Sequence, residues 1–373
     1  MRHKILFISS WFPNKIEPTN GNFVQRHAEA VAQIHDVEIL HAIGDPNQKE
    51  TYFFDEKIIN NIRTIVVYYQ QTGNSGVNFF RRMMAYKKGF SKMNRPDLVH
   101  ANVLHNNMLF AVYLKKRYKI PFVVTEHWTA LRKVNENTTS KMIKIIAKSI
   151  GNQASRILPV SKELKEGLKD LGIKTPMKVI PNVVDTSVFF PRKIDKIRFT
   201  FIHVSNLIPR KNPEKILTTS LNLLEKGYHF NLQIGGDGDV SNLKEIVKSS
   251  RFQEKIEVFG IQTIEEIAER MRQSDCFILF SDDENQPCVI AESFATGIQV
   301  ISTNVGGISE FFPDNGGILL DIVDDRLLEN AMKQLLESTI SDNYFLVNYA
   351  RNNFSSETIA NAYSLIYEEI LKE

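Results

Sequence analysis

Cysteine is nearly absent from this chain: 373 residues contain two, Cys276 and Cys288. Two thiols, one of them inside an apolar run, exclude a disulfide framework and point to a reducing compartment. Long hydrophobic runs are missing as well, and none approaches the roughly 20 residues of a membrane span. The opening Met1-Arg-His-Lys-Ile-Leu-Phe-Ile-Ser-Ser10 carries too short an apolar stretch for a secretory signal. The expected location is cytoplasmic, with any membrane contact peripheral and at the inner face. An excess of one charge is also lacking: the net charge is +3, so the balance does not mark a nucleic-acid binder. The first strand-to-helix loop has no glycine triplet, which counts against a nicotinamide or flavin enzyme. Solenoid repeats and low-complexity tracts are absent.

What is present is typical globular material, 43% hydrophobic and 24% charged. The length exceeds one ordinary core and fits two domains. Short apolar runs alternate with helical patterns along the whole chain. Lys4–Ser10, Val37–Leu40, Leu98–His100, Phe122–Thr125, Ile157–Val160 and Lys178–Ile180 read as strands. Phe23–Gln33, Leu104–Tyr118 and Lys162–Leu171 read as helices between them. After Pro191 the grammar restarts. Strands are expected at Phe199–Val204, Phe230–Ile234, Ile256–Phe259, Cys276–Phe280, Val300–Ser302 and Ile318–Leu320. Helices are expected at Pro213–Glu225, Ser241–Ser250, Ile264–Gln273, Val289–Thr296, Arg326–Leu336 and Glu357–Leu371. Such alternation implies parallel sheets covered on both faces. The predicted fold is α/β, two Rossmann-like doubly wound domains facing a cleft. A boundary within Asp185–Asp195, where Pro181–Pro191 has no helical period, gives domains 1–190 and 191–355. The last helix, 356–373, is expected to cross back to the first domain.

The richest motif is Glu284-Asn-Gln-Pro-Cys-Val-Ile-Ala-Glu292, directly after an apolar strand. Two carboxylates flank a helix N-terminus, whose orphan N–H groups and macrodipole favour an anion. That arrangement suits a sugar attached to a phosphate. Ser205-Asn-Leu-Ile-Pro-Arg-Lys-Asn-Pro213 puts the cations Arg210 and Lys211 in a strand-to-helix turn, where they can neutralise a diphosphate leaving group. Thr125-Glu-His-Trp-Thr129 sets His127 at the carboxyl end of a strand, where open α/β sheets bind ligands. Asn20-Gly-Asn-Phe23 places Gly21 in a loop able to cradle a phosphate or sugar, or to serve as a plain connection. Gly235-Gly-Asp-Gly-Asp239 fits a tight turn with a capping aspartate, or an Asp-x-Asp metal triplet. Asn304-Val-Gly-Gly-Ile-Ser-Glu310 allows close backbone approach to an anion. Phe79–Phe90 and Lys141–Lys148 are amphipathic and cationic, suited either to an anionic membrane or to ordinary surface helices.

Taken in this order, these motifs resemble the family 4 retaining glycosyltransferases of the GT-B fold (glycosyl transferases group 1). The resemblance runs nearly end to end and includes Glu-x7-Glu at Glu284 and Glu292, the segment with His127, Lys211, Pro181-Asn-Val-Val-Asp185, Gly306-Gly307 and the tyrosine-bearing last helix. It implies transfer of a hexose from a UDP or GDP sugar, with retention and without a cofactor or required metal. The acceptor would be a glycan or a lipid-linked molecule bound mainly by the first domain, in surface polysaccharide or glycoconjugate synthesis. It also implies His127, Lys211, Arg210 and Glu284 as catalytic residues. Gly21, Ser205, Asn206, Asn285, Gln286, Cys288, Val289 and Glu292 would bind the nucleotide sugar, with Glu292 on the ribose and His127 on the donor sugar. Two departures stand out. Asn206 replaces the family's arginine, leaving Arg210 as the candidate substitute. Asn285, Gln286 and Pro287 replace the usual glycines and phenylalanine. Rival readings are a sugar-nucleotide epimerase on the same architecture and a non-catalytic nucleotide-sugar-binding protein.

Overall fold

The structure, a computed structural model, describes residues 2–135, 137–192, 198–338 and 344–372. The chain forms two compact units, Met1–Val183 with Ser356–Glu373, and Val184–Ser355.

The first unit contains β1 (Lys4–Ser9), α1 (Asn22–Ala32), β2 (Asp36–Asp45), β3 (Tyr52–Ile59), β4 (Ile62–Gln70), α2 (Ser75–Phe90), β5 (Leu98–Asn102), α3 (Leu109–Tyr118), β6 (Phe122–Glu126), α4 (Lys141–Gly151), β7 (Arg156–Pro159) and α5 (Lys162–Asp170). Its sheet runs β3-β4-β2-β1-β5-β6-β7, parallel throughout except for β3. The central strands β5 and β6 are buried along their whole length, as a parallel sheet covered on both faces requires.

The second unit contains β8 (Thr200–Ser205), α6 (Pro213–Glu225), β9 (Asn231–Gly236), α7 (Ser241–Ser249), β10 (Ile256–Phe259), α8 (Ile264–Gln273), β11 (Cys276–Leu279), α9 (Cys288–Ala295), β12 (Gln299–Thr303), β13 (Gly317–Leu320), α10 (Asp325–Glu337) and α11 (Tyr344–Phe354). Its all-parallel sheet runs β10-β9-β8-β11-β12-β13. This is the doubly wound order, with strand direction of travel reversing between β8 and β11. The final helix, α12 (Ser356–Lys372), packs on α1 of the first unit through Ile359, Tyr363, Ile366 and Tyr367.

Several expectations need correction. Lys178–Ile180 is not a strand: Lys178 and Ile180 donate to Ile157 and Pro159 at 3.1 Å, but only an isolated bridge, Ile157 to Met177, forms. The hairpin β3–β4 and helix α11 were not expected. The hairpin turns on Asn60 and Asn61, both left-handed with φ of 48° and 64°, the geometry of a two-residue primed turn. The helix expected over Leu104–Tyr118 begins only at Leu109, after a 3-10 turn at Asn106–Met108. The division falls after Val183 and not at 190, because the Val184 N–H bonds Phe354 at 2.8 Å and Phe189 joins the second core. Residues 193–197 of the expected boundary region, and Glu373, lie outside the described residues.

Candidate functional site

In the second unit the candidate residues gather at the carboxyl ends of β8 and β11, where the strand order reverses. The two loops leaving these strands are stitched together. Lys211 Nζ pairs with Glu284 Oε1, with side chains only 13% and 8% exposed. Asn212 Nδ2 donates to the Phe280 carbonyl at 3.0 Å, and the Asp282 N–H to the Arg210 carbonyl at 2.9 Å. Arg210 turns another way: its Nη1 donates to the Asp283 carbonyl at 2.7 Å and lies 3.6 Å from Asp283 Oδ2. The neighbouring cations therefore serve different partners, and Arg210 does not stand beside Lys211 on Glu284.

Local conformation explains this turn. Leu207 and Asn212 are left-handed, with φ of 52° and 50°. Asn212 thereby reverses the chain immediately before Pro213, which suits the first turn of α6. Ser205 Oγ accepts from the Leu207 N–H at 3.0 Å and lies 2.8 Å from His203 Nε2. Gly236 has φ of 134°, and a Cβ there would stand 2.0 Å from the Ser205 carbonyl oxygen, so only glycine passes. The strand-end backbone at Ser205 and Asn206 is thus closely covered by the 236–238 turn. Asp239 accepts from the Ser241 N–H at 2.9 Å in a local turn ahead of α7, whose N-cap is Val240 and which no side chain caps.

Helix α9 begins at Cys288 after Pro287, and no described side chain caps it. The macrodipole at such a helix start favours an anion. Asn285, Gln286 and Glu292 are buried, while Cys288 and Val289 are half-buried. The Gly307 N–H donates to the Asn285 carbonyl at 3.0 Å, so the paired glycines close on this loop.

In the first unit, strand order reverses between β1 and β5. His127 follows β6, with its ring 4.3 Å from Phe23 and 5.3 Å from His27. The loop preceding α1 is held close by Gly21, whose φ is 76° and whose added Cβ would meet the Trp11 carbonyl carbon at 2.4 Å. Burial holds His127 well below the usual histidine range, reinforced by His27 and His100, so the imidazole is neutral at neutral pH. A buried chain of polar groups lies behind it. Tyr367 Oη meets His100 Nδ1 at 2.5 Å, and His100 Nε2 meets Thr125 Oγ1 at 2.6 Å. Thr125 Oγ1 meets Tyr363 Oη at 3.2 Å, and Tyr363 Oη meets His27 Nδ1 at 3.1 Å.

Sequence reasoning missed Glu126. It is buried, and its carboxylate accepts the N–H groups of Leu104, His127 and Trp128 at 2.5, 2.9 and 2.6 Å. Burial outweighs these three donors and raises its pKa to about 7. Glu126 also braces Val103, a β-branched residue at φ 70°, a strained conformation. Sequence reasoning expects the acceptor pocket around Asn20–Phe23 and Asn102–His105. Here Ser10 Oγ, Asn102 Oδ1, His105 Nδ1 and Asn106 Oδ1 are buried and have no hydrogen-bond partner among the described residues. Trp128 lies 5.7 Å from His105 and 6.2 Å from Trp11, edge-on to both. A position in a βα loop after a run of apolar strand residues was the available signal for each.

Known proteins share this layout. Residues 185–353 match the family described as glycosyl transferases group 1, and residues 21–188 match glycosyltransferase family 4. A human phosphatidylinositol N-acetylglucosaminyltransferase chain is 24% identical over 100% of this chain and 77% of its own. The Bacillus anthracis N-acetyl-α-D-glucosaminyl L-malate synthase is 21% identical over 74% of this chain and 76% of its own. Among solved structures, sucrose-phosphate synthase from Thermosynechococcus elongatus aligns over 100% of both chains with TM-score 0.80 and 17% identity. Anabaena HepE in complex with UDP aligns over 98% of this chain and 100% of its own, with TM-score 0.75 and 17% identity.

Proposed function

Because the chain belongs to the group 1, family 4 glycosyltransferases, we propose that it moves a sugar from a nucleoside-diphosphate sugar to a hydroxyl of a glycan or lipid-linked acceptor, with retention and without a metal. The observation that carries this reading is the buried Lys211–Glu284 pair at the switch point of the second sheet, beside the start of α9. A lysine has three N–H donors, and Glu284 takes one while fixing the ammonium in place. The remaining donors and the α9 N-terminus suit the diphosphate of a leaving nucleotide. Glu292, buried on α9, is assigned to the ribose, and Asn285, Gln286, Cys288 and Val289 to the sugar and phosphates.

In the proposed step the acceptor oxygen bonds to the anomeric carbon as the bond from that carbon to the phosphate oxygen breaks. The electron pair leaves with the nucleoside diphosphate, which takes the proton of the acceptor hydroxyl. Negative charge grows on the leaving oxygen, so preorganised positive groups stabilise the transition state more than the ground state. Arg210, held by Asp283, contributes by fixing the loop. His127 is neutral, so it offers a hydrogen bond to a sugar hydroxyl and not a charge. The partnerless atoms of Ser10, Asn102, His105 and Asn106 suit the hydroxyls of an acceptor, with Trp128 and Trp11 beside them.

HepE is described in complex with UDP, which favours uridine as the first base to test. Thermal shift with UDP, GDP and their sugars identifies the ligand, since a ligand binding only the native state raises the midpoint. Lys211→Ala is expected to lower turnover about 10²–10³-fold while the circular dichroism spectrum is unchanged. Near-normal turnover in that variant would remove Lys211 from the mechanism, and loss of turnover on adding EDTA would remove metal independence.

A further inference from the structure

Arg82, half-buried on α2, has only neutral partners among the described residues. Its Nε donates to Tyr69 Oη at 3.0 Å and its Nη1 to Asn107 Oδ1 at 2.5 Å, and no carboxylate of those residues pairs with it. Arg63 and Arg132, in the same unit, are each held by glutamate. A guanidinium has five N–H groups, so donors of Arg82 remain for a ligand or water. Its charge is felt at the carboxyl edge of the sheet: burial first, and then Arg82, holds His105 below the usual histidine range.

The atoms beside it call for the opposite kind of partner. Ser9, the last residue of β1, is in register with His41 on β2 and Asn102 on β5. Asn102 commits its amide N–H groups to the Ile8 and His100 carbonyls, both at 3.4 Å, which leaves Oδ1 a buried acceptor with no donor among the described residues. Asn106 Oδ1, next along the chain to Arg82's partner Asn107, is in the same condition. His41 Nδ1 meets the Ser9 carbonyl at 2.9 Å, so the ring proton lies there and the buried Nε2 is a third such acceptor. Buried acceptors without donors cost free energy, and hydroxyls supply what they lack. The guanidinium calls for an oxyanion, which parallel N–H groups can grip. A neutral polyol satisfies the oxygens alone, and a bare anion satisfies the guanidinium alone. One molecule carrying both groups satisfies both.

We propose that the acceptor is anionic: a hydroxylated molecule whose hydroxyls donate to Asn102 Oδ1 and Asn106 Oδ1, and whose oxyanion, a phosphate or a carboxylate, is held by Arg82. Arg82 then selects the acceptor by charge, at the side of a site that is otherwise polar and aromatic. Calling this molecule the acceptor rests on the glycosyl-transfer reading; the binding site itself does not.

The test is titration of the full chain with glucose 6-phosphate, gluconate, soluble dihexanoyl phosphatidylglycerol and glucose, read by tryptophan fluorescence. Both tryptophans lie in the first unit, and the Trp128 ring is 5.7 Å from that of His105. At least one of the anions should bind roughly tenfold or more tightly than glucose, the worth of a hydrogen bond to a charged group. The tightest of them tells a free phosphate from a carboxylate or a lipid headgroup. Sulfate, which has no hydroxyl to donate, should bind more weakly than that anion. Arg82→Gln should erase the preference for the anion while glucose binds as before, Arg82→Lys should restore part of it, and Lys211→Ala should keep it. No anion binding more tightly than glucose, sulfate binding as tightly as the hydroxylated anions, or a preference that survives Arg82→Gln overturns the proposal. The ligand comparison is made on the unaltered chain, so it decides even where Arg82→Gln lowers the thermal midpoint. If no nucleoside-diphosphate sugar is turned over while the Arg82-dependent preference persists, the transfer reading fails and the anion site stands. If neutral acceptors are glycosylated with kcat/KM unchanged in Arg82→Gln and no anion is preferred, the anion site fails and the transfer reading stands.

Discussion

The two units share one strand-and-helix grammar and use it for opposite electrostatics. At the switch point of the second unit charges are paired: Lys211 with Glu284 in a buried contact, and Arg210 with Asp283 in a half-exposed one. The corresponding region of the first unit is mainly polar and aromatic, built from Ser10, Asn102, His105, Trp11 and Trp128, with the Arg82 cation on Asn107 at its side. A parallel sheet delivers loops to its carboxyl edge whatever those loops contain, so fold alone does not choose the ligand. The contrast fits the proposed placement of the anionic substrate on the second unit and the hydroxylated one on the first. It also gives the two units different liabilities, because the first buries most of the histidines. Seven of the nine histidines lie there, and His27, His41, His100 and His127 are all depressed chiefly by burial, His27 to about 3 and His41 to about 4. The second unit has one such group, His203, at about 4.

Acid is therefore the strongest lever on the comparison. A histidine with a depressed folded pKa contributes stability that is present above the unfolded value of 6.5 and is lost as pH falls below it. Glu126, raised to about 7, acts in the opposite sense, since the native state holds its proton down to the unfolded value near 4.5. Between pH 6.5 and 4.5 these four histidines of the unfolded first unit gain up to four protons against the one retained at Glu126 by the native form, and His35 and His105, also depressed by burial, add to the difference. Stability should fall with a slope approaching about 4 kcal/mol per pH unit, against about 1.4 for the second unit. Both tryptophans, Trp11 and Trp128, lie in the first unit, so their fluorescence reports that unit alone. The fluorescence transition should precede loss of the far-ultraviolet helix signal on acidification. Coincident transitions would mean that the units do not differ in this way.

A second lever is the return of α12. Tyr367 is fully buried against α1 and β5 and bonds His100, so Tyr367→Ala leaves both a cavity and a histidine nitrogen without its partner. The expected loss is about 3–5 kcal/mol, measured by urea denaturation. The tryptophan signal should register it, and a second-unit probe such as hydrogen exchange in β11 and β12 should change less. An equal loss of protection in both units would erase the distinction.

Much of this was legible in the chain, for identifiable reasons. Helices α6 and α8 start and stop where the sequence places them, because Pro213 and the Thr263–Glu266 capping box mark their first turns. The pairing of loops 205–212 and 280–287 follows from placing two ligand-bearing turns after neighbouring central strands. The hairpin β3–β4 was hidden because its turn is Asn60-Asn61, without the glycine that usually signals a primed turn. Arg210 and Lys211 illustrate a deeper limit. Adjacent residues share a sequence environment but point apart, and only the left-handed Asn212 and the geometry of the facing loop decide which carboxylate each one meets. Glu126 was invisible because burial, not spacing, gives it its role.

That residue supplies the smallest and most discriminating test of the mainly polar and aromatic character of the first-unit site. Glu126 braces the strained turn at Val103 by accepting the Leu104 N–H on one oxygen and the His127 and Trp128 N–H groups on the other. Glu126→Gln keeps the shape but turns an amide donor toward one of these donor sets. The expected cost is about 1–3 kcal/mol, the penalty for a buried donor left without an acceptor. The cost should depend on pH with a definite sign. Wild-type native protein binds a proton at Glu126 that the unfolded chain has lost between pH 4.5 and about 7, so its stability falls as pH rises through that window. Glutamine does not titrate, so the gap between wild type and variant should narrow from pH 5 to pH 8. A gap that widens over that range would mean that the three N–H donors outweigh burial, leaving a permanent anion at the end of β6 and removing the electrostatic contrast with the second unit.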